Sequence, residues 1–344
     1  MENILKELDS KDMYSVLCDS YKQIEYISNL GKLGYTDDYS SVNSIVIVGM
    51  GGSAIAGDFV KNLFFSFSTL PVQVIRNYNI PVHINSNTLV VVSSYSGNTE
   101  ETISAMKQAL QLKAKVIVIS TGGMVCDLAK ENNLVVVKLQ SGFQPRYAFY
   151  MSIFAMLKFI NDAEIITFDN SYFSKSCNLL EQLSVKYGNE QSDAYKIAEQ
   201  LIGSIPLIYS CVDLTEAVGQ RFKGQLNENS KMHAFYNAIP EMNHNEIVGW
   251  QGVSEDDKFK AVFILDKAYN KRIKLRFSIV KKILISSGID VIELQSDEED
   301  YSMRLLHLVF LCDWISFYAA ILANRDPVEI KNINLLKEEL LKNT

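Results

Sequence analysis

Ser44-Ile45-Val46-Ile47-Val48 runs directly into Gly49-Met50-Gly51-Gly52-Ser53 and then into the helix-like SAIAGDFVKNLF. An unbroken β-branched run, closed by glycines and followed by a helical pattern, is the repeating unit of a parallel sheet covered on both faces. The unit recurs downstream. Leu89–Ser93 (LVVVS) leads through a polar turn into TEETISAMKQALQL, and Lys115–Ser120 (KVIVIS) and Leu134–Leu139 (LVVVKL) flank a helical pattern over Val125–Asn132. A long helical region follows from Arg146 to Ser204, interrupted around Phe168–Ser171 and again around Gly188–Ser192.

The alternation then resumes. Pro206–Cys211 (PLIYSC) precedes a helix through Lys231, Lys260–Leu265 (KAVFIL) a helix over Asn270–Ser287, and Asp290–Leu294 (DVIEL) a helix over Tyr301–Asn324. The expected fold is therefore α/β: two doubly wound domains, each a mainly parallel sheet flanked by helices. The domains are expected at 1–160 and 205–344, with 161–204 as a helical connection.

Bulk properties narrow the function. The 344 residues are 48% hydrophobic and 21% charged with six prolines, enough apolar material for two cores. A formal net charge of -7 argues against nucleic acid as the partner, because backbone phosphates call for a basic face. Cys18, Cys126, Cys177, Cys211 and Cys312 are scattered and odd in number, which fits a reducing, cytoplasmic setting. The start, MENILKELDSKDMY, lacks a signal-peptide apolar region. Leu305–Ala323 is the most apolar stretch, but it contains His307 and Asp313 and reads as a buried core helix, not a membrane span.

Two strand-to-helix turns have anion-binding chemistry. In Gly49–Ser53, glycines let backbone N–H groups close on an anion, Gly52 among them, at a helix N-terminus. A merely tight turn is the alternative. The second, Ser94-Tyr95-Ser96-Gly97-Asn98-Thr99-Glu100-Glu101, places three hydroxyls around a glycine. Helix capping, with Asn98 as N-cap and Glu101 as its partner, is the alternative there, although capping needs only one of those polar groups.

GMGGSAIAGD and SSYSGNTEET resemble the signatures of the sugar-isomerase (SIS) superfamily. With the later segments, in order and spacing from about Ser44 to the C-terminus, the chain resembles the bifunctional phosphoglucose/phosphomannose isomerases. That resemblance implies two SIS domains and interconversion of glucose 6-phosphate and mannose 6-phosphate with fructose 6-phosphate, without metal or cofactor. It also implies that Ser53, Ser94, Ser96 and Thr99 hold the sugar phosphate.

Such a reaction opens the ring, moves a proton between C1 and C2, and stabilises an enediolate, so it needs a base, an acid near the ring oxygen and a cation. Leu226-Asn227-Glu228-Asn229-Ser230-Lys231 resembles the family segment carrying the catalytic glutamate, and Glu228 is the matching position. By spacing alone, Arg221, Gln225 and Glu228 share a face distinct from the apolar Val218, Phe222 and Leu226, and could form a solvated helix face. His244, in Pro240-Glu241-Met242-Asn243-His244-Asn245-Glu246, resembles the family's PExxHNE histidine. The resemblance implies that this histidine acts in ring opening across a homodimer interface. His244 follows the strand-like AFYNAIPEM and precedes an expected helix.

His307 reads as a satisfied core residue, while His83 and His233 carry no role. Arg146, in Gln144-Pro145-Arg146, matches the family's Pro-Arg segment and is the implied enediolate stabiliser, against an ordinary surface helix-start arginine. The resemblance implies that Lys337, in Ile333-Asn334-Leu335-Leu336-Lys337, reaches the sugar, with Lys331 and Lys342 as competitors. No metal is indicated, since the His244–Glu246 pair lacks further ligands at coordinating spacing.

Other SIS isomerases, acting on heptose or amino-sugar phosphates, are the enzyme alternative. The amidotransferase type requires an N-terminal cysteine where this chain has Glu2. A non-catalytic sugar-phosphate sensor could dispense with Glu228, His244 and Arg146.

Overall fold

The computed structural model describes residues 7–35, 38–169, 171–254 and 257–342. They form two compact units: one over Asp19–Glu181, the other over the described residues up to Cys18 and from Gln182 onward. This division differs from boundaries at 160 and 204. The stretch expected as a connection is shared between the units, and a short helix, α1 (Met13–Cys18), groups with the C-terminal half. There Tyr14 donates from its hydroxyl to the Gly188 carbonyl at 2.8 Å and meets the Trp314 ring edge-on, a long-range partnership that no local pattern announces.

The first unit is built on a parallel sheet ordered β2-β1-β3-β4-β5, with β1 Ser44–Val48, β2 Val72–Ile75, β3 Thr88–Ser93, β4 Lys115–Ser120 and β5 Val135–Lys138. Val46, Val48, Val90, Val92, Val116 and Val118 pack on one face against Ala105, Met106 and Ala109 of α4 (Glu100–Gln111) and Val125 and Ala129 of α5 (Gly123–Glu131). Ile45 and Ile47 lie on the other face. There Gly57 of α3 (Gly51–Phe64) closes on Ile47, and Phe59 meets Phe149 of α6 (Phe149–Asp162). Helix α2 (Ser20–Ser28) packs on α6 and completes the layer. Strand β2 was not anticipated: VQVI is a four-residue edge strand carrying a glutamine, too short to show periodicity.

In the second unit the sheet order is β7-β6-β8-β9, again all parallel, with β6 Ile205–Cys211, β7 Phe235–Ile239, β8 Phe259–Ile264 and β9 Val291–Leu294. This is the first sheet's order without its last strand. Helices α7 (Ser171–Tyr187), α8 (Asp193–Leu201), α9 (Glu216–Glu228), α10 (Lys271–Ser286), α11 (Tyr301–Leu322) and α12 (Lys331–Lys342) complete the chain. Among the described residues α11 alone is long and apolar enough to cross a membrane, and its most apolar window is 94% buried within the protein. Two of its ionisable groups explain its place in the core. His307 accepts or donates at both ring nitrogens, to Tyr187 (2.6 Å) and Ser296 (2.7 Å). Asp313 takes a two-point contact from Arg221, at 3.0 and 2.9 Å. Buried polar groups are tolerated when paired in this way.

Candidate active site

Strand order reverses between β1 and β3, and open parallel sheets take ligands at the carboxyl ends of strands flanking such a reversal. The loops leaving those ends are 49–53 and 94–99. At the seam only glycine fits. A Cβ on Gly49 would lie 2.8 Å from the Ser93 carbonyl oxygen, and one on Gly52 would lie 2.9 Å from the Pro145 oxygen and 3.0 Å from Arg146 Cα. Gly51 opens α3 at a φ of 49°, and no side chain caps that helix. Ser53 is buried in its first turn.

In the second loop the hydroxyls of Ser94 and Thr99 bond each other at 3.1 Å, and Ser94 also accepts the Gly97 N–H at 3.2 Å. Ser96 accepts the Asn98 N–H at 3.3 Å. The capping alternative is not what forms. Thr99 is the N-cap of α4 and its side chain makes no cap bond, while Asn98 Oδ1 accepts from Met124 N–H of α5 at 3.0 Å. The loop is thereby clamped to the turn after β4. A Cβ on Gly97 (φ 74°) would fall 1.7 Å from the Gly122 oxygen, and one on Gly123 (φ 71°) 2.6 Å from the Ser96 oxygen. Tyr95 holds the far side, donating to the Gln140 carbonyl (3.0 Å) and accepting from Phe143 N–H (2.8 Å); burial pushes its hydroxyl pKa up.

Arg146 is 4% exposed, which excludes the surface alternative. Its guanidinium lies 4.6 Å from the Tyr147 ring centre and donates to the Tyr147 hydroxyl at 3.1 Å. Gln23 of α2 brackets this segment, donating to the Tyr147 carbonyl at 2.8 Å and accepting from Met151 N–H at 3.1 Å. The first unit thus places Gly52, Ser53, Ser94, Ser96 and Thr99 at the carboxyl ends of β1 and β3, with the Arg146 backbone against Gly52. Tyr95 and Gln23, which support them, were missed. Tyr95 sat inside the quoted motif, but Gln23 gave no local signal.

Glu228 is the last residue of α9, three residues short of the helix end expected at Lys231. The cause is long-range. Asn229 donates to Ser316 Oγ (3.0 Å), Ser230 donates to the Ser316 carbonyl (2.7 Å), and Lys231 turns the chain at a φ of 53°. The solvated-face alternative fails as well, because Arg221 and Gln225 are buried against Asp313. Glu228 itself is half-buried.

His244 is exposed at the end of a 3-10 turn, Glu241–His244, and the helix expected after it is a second 3-10 segment, Glu246–Gly252. Asn245, at a φ of -147° and a ψ of -75°, leaves helical geometry where the two segments meet. Lys337 lies exposed on α12. His307 is the satisfied core residue expected, its pKa lowered to about 4 chiefly by burial.

Comparison with known proteins bears on the family and the fold. The SIS domain family matches residues 38–161, and the family described as the bacterial phospho-glucose isomerase C-terminal SIS domain matches residues 190–340. A bifunctional phosphoglucose/phosphomannose isomerase of Aquifex aeolicus is 36% identical over 334 residues, covering 96% of this chain and 99% of that protein. The chain belongs to the bifunctional phosphoglucose/phosphomannose isomerase family. Another family member, from Caldicellulosiruptor bescii, is 33% identical over 336 residues, 95% of this chain and 98% of its own. The fold of the family is also that of a solved hypothetical protein from Thermus thermophilus, with a TM-score of 0.75 at 15% identity over 99% of this chain and 93% of that one.

Proposed function

We propose that this protein interconverts glucose 6-phosphate and mannose 6-phosphate with fructose 6-phosphate, through a cis-enediolate and without a metal. The observation that carries the reading is the first sheet's crevice: glycine-only backbone, an uncapped helix start, and hydroxyls of Ser94 and Thr99 that bond each other instead of capping α4. Neutral O–H and N–H donors at helix starts suit a phosphate monoester.

In this reading Gly52, Ser53, Ser94, Ser96 and Thr99 hold the phosphate. Glu228 takes the proton from one of C1 and C2 and returns it to the other. Arg146 offsets the charge that develops on the enediolate oxygens, and Lys337 reaches the sugar. His244 protonates and deprotonates at the ring oxygen, contributed from the partner subunit of a homodimer, in the cytoplasm. Membership of the family and the presence of Glu228, His244 and Arg146 in its sequence contexts support the assignment.

The test is formation of fructose 6-phosphate from each aldose phosphate in the presence of EDTA. Turnover of both is expected; no turnover of either would reject the reading, and loss with EDTA would reject metal independence.

A further inference from the structure

One carboxylate near the chemistry has no role in the steps above. Glu246 lies two residues after His244, and both its oxygens are engaged. Tyr209 of β6 donates its hydroxyl to one, and Asn237 of the edge strand β7 donates its amide to the other at 2.6 Å. Tyr209 and Asn237 are paired neighbours across the two strands, so the carboxylate spans the ladder. A carboxylate engaged at both oxygens and half-buried is poorly placed to act as a base, but well placed to anchor a turn.

The turn needs anchoring. Met242 on one side and Trp250 on the other are buried in the core, and His244 is exposed between them. Asn245 stiffens the join, accepting from Glu246 N–H at 2.6 Å and donating to Glu241 at 2.8 Å, while Arg276 of α10 donates to Asn243 at 3.2 Å.

We infer that Glu246 is the positioning residue for His244, its carboxylate pinned across β6 and β7 so that the 3-10 turn presents the imidazole in one place. The Tyr209 pKa is pushed upward by burial and then by Glu246, so the phenol stays a donor over the working pH range. The inference rests on the ring-opening role proposed for His244.

Ring opening can be read by itself, as enzyme-catalysed exchange between the α and β anomers of glucose 6-phosphate in exchange NMR. In Glu246→Gln, anomer exchange and turnover should fall together, by about tenfold to a hundredfold, the scale of a small misplacement of a catalytic group. Tyr209→Phe, which keeps the ring and removes one donor, should show a smaller loss of the same kind. Binding of sorbitol 6-phosphate, which has no ring to open, should stay within about threefold of wild type, a shift well below the tenfold step of 1.4 kcal/mol.

Exchange at the wild-type rate in both variants would overturn the inference. So would a loss of sorbitol 6-phosphate binding that matches the loss of exchange, since that reports collapse of the site. Wild-type exchange in His244→Ala would instead remove the ring-opening role, and with it what Glu246 positions.

Discussion

The two sheets offer the same crevice twice and treat it in opposite ways. In the first, between β1 and β3, the loops are rich in glycine and short hydroxyls, and buried Ser93 and Thr102 hydroxyls on either side of the second loop have no hydrogen-bond partner among the described residues. In the second, between β6 and β8, the protein fills the place with its own side chains. Arg304 of α11 makes a two-point contact with buried Asp266, at 2.7 and 3.1 Å. Tyr269 bonds Thr215 and the Ile264 carbonyl, Thr215 accepts from Cys211 N–H at 3.0 Å, and Tyr301 donates to the Leu214 carbonyl at 2.7 Å. Topology supplies a crevice at each reversal of strand order; the side chains decide whether it is kept for a ligand or closed for stability.

The comparison can be broken hardest at the closed crevice. Asp266→Ala strands a buried guanidinium and should cost about 3–5 kcal/mol of stability in urea unfolding. A change below about 1 kcal/mol would mean that the plug is not structural, since that is the scale of an ordinary surface substitution.

The same unit carries a pH signature. His307 titrates at about 4 when folded and near its ordinary 6.5 when unfolded, so between those values the unfolded chain binds a proton that the folded one refuses. Stability should be constant above about pH 6.5 from this group and decline as pH falls towards 4, by up to about 3 kcal/mol. Unfolding of His307→Gln measured at about pH 7, above that window, and at about pH 4.5, near its lower end, should show a smaller decline than wild type. An equal decline would assign the effect elsewhere.

Third in size is Glu228→Gln, expected to lower turnover at least about a hundredfold, equivalent to about 2.7 kcal/mol, with sugar-phosphate binding largely kept. Near-normal turnover would reject Glu228 as the base.

Smallest is the open crevice. Ser96→Ala with Thr99→Ala should raise KM about tenfold while kcat changes little, the signature of lost uniform binding. Its unfolding free energy should move by no more than about 1 kcal/mol, because these hydroxyls do not cap the helix. An unchanged KM would remove the phosphate loop from the site.

Much of the architecture could be read along the chain. The buried strands β1, β3 and β4 announce themselves by Val/Ile/Leu runs, and the glycines at 49, 52 and 97 stand where only a missing Cβ lets two backbones meet. What escaped was short or partnered at a distance. Strand β2 is too brief to show a period, and α9 was expected to run three residues further because Asn229 and Ser230 do not announce the bonds to Ser316 that stop it. The polar face of α9 allowed a solvated reading until Asp313 was found against it.

By itself, then, the sequence determined the alternation of strand and helix, the two strand-end turns, and the family from which the chemistry follows. Periodicity and turn stereochemistry act within a few residues, so they are written locally. Tertiary structure alone decided which polar groups are already answered. Arg221 finds Asp313 92 positions away and Tyr187 finds His307 120 positions away, whereas the hydroxyls of Ser94 and Thr99 bond within their own loop. A buried polar group's role depends on its partner, and partners that far apart are chosen by packing.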